Sequence, residues 1–262
     1  MHYWRQAALP FSLQVLESVG STNQYLLNQP LSSGLSVCVS DQQTAGRGRH
    51  GRVWQSPAGA SIYLSVACTL PSELMPHLSR LPLYCGAALA EWLARQGVAV
   101  QLKWPNDILC DGNKLAGLLI ETRLGPGGCA VVMGLGLNVD VAPEAMLLVE
   151  QPWTDLKQCL LQGRMLQEKT CDDHKLLNRN WLVAQLTEVL ARAHGYWHEQ
   201  NNGWFQAVWQ QYDILQGKAV QVTGGEGEYS AIVCGLAGDG ALLLQVGGEV
   251  RSVYAADVKL KI

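Results

Sequence analysis

The chain has 262 residues, 48% of them hydrophobic and 16% charged, with a net charge of −3. That length fits one large domain or a medium domain with a small one. The apolar content excludes disorder, and the slightly acidic balance excludes bulk nucleic-acid binding. No apolar run approaches the roughly 18 residues of a membrane span. Residues 1–6 show no charged segment leading into an apolar one, so no signal peptide is expected. Eight cysteines, at positions 38, 68, 85, 110, 129, 159, 171 and 234, form no Cys-x-x-Cys pair. They read as reduced, buried small hydrophobes of a cytoplasmic protein. Cys171 and His174 lie close together, but no second ligand pair supports a metal there.

Residues 11–19 alternate about Leu13 and Val15 as a short strand does, and Gly20 ends it. Ser21-Thr22-Asn23 then precedes Tyr25, Leu26 and Leu27. A hydroxyl here caps a helix, and the same free N–H groups suit an anion or a polar ligand head. Residues 35–40 and 61–67 read as strands on either side of a loop. That loop contains Gly46, Arg47, Gly48, Arg49, Gly51, Arg52 and Trp54. Glycine frees the backbone to bend closely around a ligand, and arginine supplies planar donor forks for carboxylate or phosphate oxygens. Two readings fit this stretch alone: a loop closing over an anionic ligand, and a solvated Arg/Gly tail of the nucleic-acid-binding kind.

Between residues 78 and 96, Leu78, Leu81, Cys85, Leu89, Trp92 and Leu93 recur at helical spacing, with Gly97 as the stop. Residues 98–102 alternate as a strand up to Lys103-Trp104-Pro105-Asn106-Asp107, where Pro105 ends the ladder. Residues 108–110 resume a strand, 111–113 have hairpin-turn composition, and 114–121 return. Lys114, opening an apolar strand, is either a solvated hairpin-end lysine or a charge held for chemistry. Residues 129–137 form a buried strand ending in Gly134-Leu135-Gly136-Leu137-Asn138. This Gly-x-Gly has no further glycine or βαβ unit, so it is weak evidence of dinucleotide binding.

Residues 144–200 read as mainly helical, with Leu182, Leu186, Val189 and Leu190 on one face. Trp197, Trp204, Phe205 and Trp209 read as core aromatics. After Tyr212 come short strands at 218–222, 229–234, 241–246 and 250–254 between glycine-rich turns, the texture of a small β-barrel. The expected division is residues 1–213 and 214–262. So small a second module is expected to dock on the first.

Taken in order, these motifs closely resemble the biotin protein ligases over nearly the whole chain. They are Ser21-Thr22-Asn23, the stretch from Gln43 to Trp54, Lys103-Trp104-Pro105-Asn106-Asp107, Lys114-Leu115-Ala116-Gly117 and Gly134 to Asn138. The resemblance implies an α+β fold: a mixed-sheet catalytic domain of the biotin/lipoate ligase type followed by a small SH3-like barrel. It implies that biotin and MgATP form biotinyl-5′-AMP, and that a lysine of a biotin carboxyl carrier domain of acetyl-CoA carboxylase or a related carboxylase then takes the biotin. It matches Ser21, Thr22 and Asn23 to the ureido head, with Gln43 nearby. Arg47, Gly48 and Arg49 match the loop over carboxylate and phosphate, with Gly117 beside the biotin. Arg52, Trp54, Lys103, Asn106 and Asn138 match the nucleotide side, and Asp107 matches a holder of Mg²⁺ or the ribose. Lys114 matches the lysine bridging carboxylate and α-phosphate. With Arg49 it is the expected catalytic electrostatic group, since a lysine with the reference pKa of about 10.4 stabilises charge rather than shuttling protons.

Ser21 comes too early for the N-terminal helix-turn-helix that some members carry, so no DNA-binding function is expected. Family barrels often end in an arginine that reaches ATP; here Lys261 is the candidate. Both monomers and homodimers joined through a sheet edge occur in the family. The rival readings are a lipoate or octanoate ligase and a non-catalytic biotin sensor. Trp54 and the Lys-Trp-Pro-Asn-Asp motif oppose the first, and the phosphate-facing cations oppose the second.

Overall fold

The structure is a computed structural model that describes residues 11–30, 34–125, 128–166, 173–224 and 227–260. The expectations placed on residues 1–6, on Cys171 and on Lys261 lie outside the described residues. Seven strands form the main sheet: β1 (Phe11–Val19), β2 (Leu35–Gln43), β3 (Ser61–Leu70), β4 (Val100–Lys103), β5 (Asp107–Cys110), β6 (Asn113–Gly125) and β7 (Gly128–Asn138). Their order is β1-β2-β3-β7-β6-β5-β4. β1 and β2 run parallel, joined through the short helix α1 (Thr22–Leu27), and the remaining pairs are antiparallel.

The turn between β5 and β6 places Asp111 at φ 49° and Gly112 at φ 74°. Two successive positive φ values make the tight hairpin turn that a two-residue Asp-Gly loop favours. Strand β6 is central beside β5 as far as Gly117. Past Gly117 only β7 pairs with it, so the stretch from Leu115 to Ile120 is part central and part edge.

The two faces of the sheet differ in what they bury. Ile62, Leu64 and Val66 of β3 and Val131, Met133 and Leu135 of β7 point into the main apolar core. That core packs under α2 (Leu81–Arg95), α5 (Arg179–His198) and α6 (Asn202–Tyr212); the short α3 (Leu156–Leu166) and α4 (Asp173–Leu176) precede these last two. The expected α5 face is there: Leu182, Leu186, Val189 and Leu190 are all buried, as are Trp197, Phe205 and Trp209. The opposite face is covered by α1 and the Arg/Gly loop. There the alternate residues are small or polar, and these become the site.

The helix read from residue 78 begins at Leu81, and Leu78 belongs to a 3-10 segment, Ser72–Arg80. Pro82 lies in the first turn, where its missing N–H leaves no intrahelical bond unmade, so the helix starts there. Residues 144–155 are not α-helical, and the first helix of that region starts at Leu156.

The C-terminal module is a five-stranded antiparallel sheet in the order β11-β10-β9-β8-β12, the SH3-like unit expected. β8 (Ala219–Gly224), β9 (Gly227–Leu236), β10 (Leu242–Val246) and β11 (Glu249–Val253) follow the reading. β12 (Asp257–Leu260), pairing with β8, adds a strand that the sequence did not suggest. Val220, Val222, Leu242 and Leu244 join the same apolar core as the main sheet. The indole Nε1 of Trp104 donates to Gly240 O at 3.1 Å, and Ile214 N donates to Leu102 O. The module is therefore docked through buried apolar surface, the larger energy term, with backbone bonds fixing its register. Among the described residues no helix is long and apolar enough to cross a membrane.

Candidate active site

Strand register places two rows of residues across the site face. In one row Ser65 of β3 pairs with Gly134 of β7, which pairs with Leu119 of β6. In the next row Tyr63 pairs with Gly136, which pairs with Gly117. The rows are two residues apart along each strand, about 7 Å. A glycine lies at the middle of each row because a side chain lies down in it. A Cβ on Gly134 would come 2.2 Å from Asn23 Oδ1, and one on Gly136 would come 2.5 Å from the Trp54 ring. The Gly-x-Gly of β7 is thus a pair of berths for two side chains, and this answers why it has no dinucleotide-loop continuation.

The Asn23 row is a hydrogen-bonded network, neutral apart from the Glu121 carboxylate at its edge. Asn23 Nδ2 donates to Leu119 O at 3.1 Å and to Glu121 Oε2 at 2.8 Å. Its Oδ1 lies 2.6 Å from Ser65 Oγ, which is also 2.7 Å from Thr22 Oγ1. A hydroxyl has one hydrogen to give, and Oδ1 has none, so Ser65 donates to Asn23 and Thr22 donates to Ser65. Gln43 Oε1 takes the Thr22 N–H at 2.9 Å, and Gln43 Nε2 donates to Ser56 Oγ at 3.1 Å. Both amide hydrogens of Asn23 are therefore committed inside the protein. The Ser21 hydroxyl hydrogen and the second Nε2 hydrogen of Gln43 have no partner among the described residues. Ser21 Oγ itself caps α1 at a long 3.5 Å from Gln24 N, so the capping reading and the ligand reading share one residue.

The loop lies across this face. Arg47 donates from NH1 to Gln24 Oε1 at 3.0 Å and from NH2 to Glu121 Oε2 at 2.9 Å, and Trp54 N donates to Gly46 O. A Cβ on Gly46 would lie 2.4 Å from Trp54 O, so this glycine is required by close approach. Gly48 has only ordinary contacts and an extended backbone, so crowding does not require glycine there. Trp54 rests over Gly136 and Gly117, and its buried Nε1 has no partner among the described residues.

The Trp54 row ends in charge. Lys114 Nζ is 2.7 Å from Asp107 Oδ1 and 5.4 Å from the centroid of the Trp54 ring. Both side chains of that ion pair are less than a fifth exposed, which limits screening. Burial pulls Lys103 below the ordinary lysine value; Asp107 and Asp257 oppose that pull, and Lys114 and Lys259 add to it. Burial likewise lowers Arg49, which feels Asp257 and Asp107 from one side and Arg52 from the other. Arg52 pairs with Asp257 of β12. Five cations, Arg49, Arg52, Lys103, Lys114 and Lys259, thus surround two carboxylates, Asp107 and Asp257. The arrangement is short of negative charge.

Two expected ligand contacts serve the backbone as drawn. Asn106 Nδ2 donates to Leu118 O at 2.6 Å and its carbonyl accepts from Leu118 N, stapling the Lys-Trp-Pro-Asn-Asp corner to β6. Buried Asn138 donates to Thr154 O at 2.9 Å. Thr154 N in turn donates to Lys114 O, and Lys114 N to Pro152 O. Asn138 therefore steadies the strap that holds the Lys114 backbone. Ser65, Glu121, Gly134 and Gly136 were not singled out from sequence as site residues. A polar residue inside an apolar strand was the available signal at Ser65 and Glu121. A cavity of about 380 Å³ beside Arg80, Asp239 and Tyr254 lies away from this machinery, against the C-terminal module.

Residues 15–138 match the model of the biotin/lipoate A/B protein ligase family, and residues 216–261 match the biotin protein ligase C-terminal domain. The chain is 34% identical to a biotin–[acetyl-CoA-carboxylase] ligase of Mycobacterium tuberculosis, covering 97% of this chain and 89% of that protein. It is 32% identical to the bifunctional ligase/repressor BirA of Escherichia coli, covering 95% of this chain and 74% of that protein. Its fold is similar to that of a biotin protein ligase from Aquifex aeolicus solved in complex with biotin and ATP. There the TM-score is 0.73 at 25% identity, over 95% of this chain and 98% of that one.

Proposed function

The chain belongs to the biotin/lipoate A/B protein ligase family, and we propose that its two-row groove joins biotin to ATP and then to a carrier lysine. Biotin's carboxylate attacks the α-phosphate of ATP and pyrophosphate leaves. The amine of a lysine on a biotin carboxyl carrier domain then attacks the acyl carbon, releasing AMP and a proton. Both steps crowd anionic oxygens together, and positioned cations lower their barriers without a covalent protein nucleophile.

The observation that carries this reading is the junction of the rows. A hydrogen-bonded network at Asn23, neutral but for Glu121, leads along one sheet face to Lys114 amid surplus cations. A ureido head offers one carbonyl acceptor and two N–H donors, and the Ser21 hydroxyl and the Gln43 amide are the free donors near Thr22 and Asn23. We assign those two to the carbonyl and give Asn23 the task of holding the network. Lys114 bridges carboxylate and α-phosphate. Arg49, Arg52 and Lys103 take the phosphates, and Trp54 forms the floor beside the base. Gly117 keeps clear the space next to Lys114, where a Cβ would come 3.2 Å from the lysine's own chain. Mg²⁺ is a hard, oxygen-seeking ion that enters with ATP. Asp107, the carboxylate beside Lys114, would hold the ion, which would neutralise charge on the triphosphate.

A lipoyl or octanoyl group has no ureido head, and would leave the Ser21 and Gln43 donors facing apolar atoms. Each buried unpaired group costs about 1–3 kcal/mol, which favours biotin. The test is transfer to a purified carrier domain with MgATP and, in parallel, biotin, lipoate or octanoate. Labelling by biotin alone is expected. Labelling by lipoate or octanoate instead, or biotin binding with no adenylate formed, overturns the reading.

A further inference from the structure

We propose that Glu121 is a positioning residue that latches the Arg/Gly loop to the biotin-head network, so that the loop stays shut only while that network is intact. The inference rests on the biotin ligase reading of the site. Its basis is one atom: Glu121 Oε2 accepts from Asn23 Nδ2 at 2.8 Å and from Arg47 NH2 at 2.9 Å. Asn23 belongs to the buried Thr22–Ser65 chain on the sheet, while Arg47 belongs to the loop, 74 residues before Glu121 in sequence. Among the described residues only this carboxylate joins both, and Arg47 NH1 completes the latch on Gln24 of α1 at 3.0 Å.

The chemistry suits a latch. The pair is charge-assisted, yet Arg47 and Glu121 side chains are 37% and 25% exposed, so it is strong enough to bias the loop and weak enough to open. Register explains why the residue is at 121. It shares the site face with Gly117 and Leu119, two and one steps back along β6, and it lies on the part of β6 that β5 leaves uncovered. Its reach to the loop is therefore unobstructed. Arg47 thus acts on the substrate through loop position, whereas Arg49 faces the charged end.

The test is the dissociation rate of biotinyl-5′-AMP from the purified full chain, made in place from biotin and MgATP, and the kcat of adenylation at saturating substrates. Glu121→Ala and Arg47→Ala are each expected to speed adenylate release about tenfold, near the lower end for a hydrogen bond to a charged group, and to raise release by a larger factor than they lower kcat. The double variant is expected to release no faster than either single one, because both remove the same link. Glu121→Gln keeps an acceptor for Asn23 and loses the charge, so it should fall between wild type and Glu121→Ala; it also serves if the alanine variant folds poorly. Release rates equal to wild type in Glu121→Gln and Arg47→Ala, or effects that multiply in the double variant, overturn the latch while leaving the ligase reading intact. A wild-type chain that forms no adenylate overturns both.

Discussion

The two ends of the groove solve opposite recognition problems with opposite means. Around Asn23 nearly every polar atom is already paired within the protein, and the few free donors are neutral and few in number. Around Lys114 the cations outnumber the carboxylates, and burial holds Lys103 and Arg49 below their ordinary values. A neutral head is discriminated by fixed hydrogen bonds, since a mismatch leaves a buried group unpaired. On the proposed reading a polyanion is drawn by unbalanced charge, and the same charge would stabilise the pentavalent phosphorus that forms later. The Asn23 end is internally paired, whereas the Lys114 end keeps a surplus of positive charge.

Breaking the charged end should have the largest effect. Lys114→Ala is expected to lower kcat/KM for adenylation by at least about 10²-fold, the scale for losing one preorganised electrostatic group, as read by biotin-dependent pyrophosphate exchange. Next come the glycines, which separate the two rows. Gly134→Ala drives a methyl into Asn23, and overpacking of this kind costs about 1–3 kcal/mol, or roughly 5- to 150-fold in biotin affinity by titration calorimetry. Gly136→Ala displaces Trp54 instead, so it should raise the KM for ATP and leave biotin binding within about twofold.

The pH response sharpens the comparison further. Lys103 has a depressed pKa before ATP binds, and the triphosphate restores it, so binding should take up a proton on the alkaline side. The affinity for ATP should then fall as pH rises through the free-state value of Lys103, while the affinity for biotinamide, whose tail is uncharged, stays flat. Calorimetry in buffers of different ionisation enthalpy reads the proton count directly. The smallest effect belongs to Asp257→Asn, which cuts the tie between Arg52 and β12. With Arg52 mostly exposed, stability should change by less than about 1 kcal/mol in thermal unfolding.

How much of this was legible in the sequence depended on how far apart the partners are. Arg47, Arg49, Arg52 and Trp54 crowd into one short loop, and Lys103, Asp107 and Lys114 lie close in sequence on the consecutive strands β4, β5 and β6, so their chemistry is visible as local composition. Glu121 and Ser65 meet Asn23 across 98 and 42 residues, and only the strand register makes them neighbours. Gly134 and Gly136 were visible but ambiguous, because a glycine's purpose is set by what lies on it. Asn138 and Asn106 showed their residue type without their direction: both amides face the backbone. The strand order of the main sheet was not legible, since alternation places residues on a face but does not choose a neighbour. β12 escaped notice because four residues with two charges carry little strand signal, and only its pairing with β8 makes it a strand.

The most direct test of the division between the two ends is a paired measurement on wild type and Lys114→Ala: calorimetric binding of biotinamide and biotin-dependent exchange of pyrophosphate into ATP. The account predicts biotinamide affinities within about twofold of each other, because Lys114 lies outside the head network, together with exchange reduced at least about 10²-fold. Exchange persisting within tenfold of wild type, or loss of biotinamide binding in the variant, would contradict it.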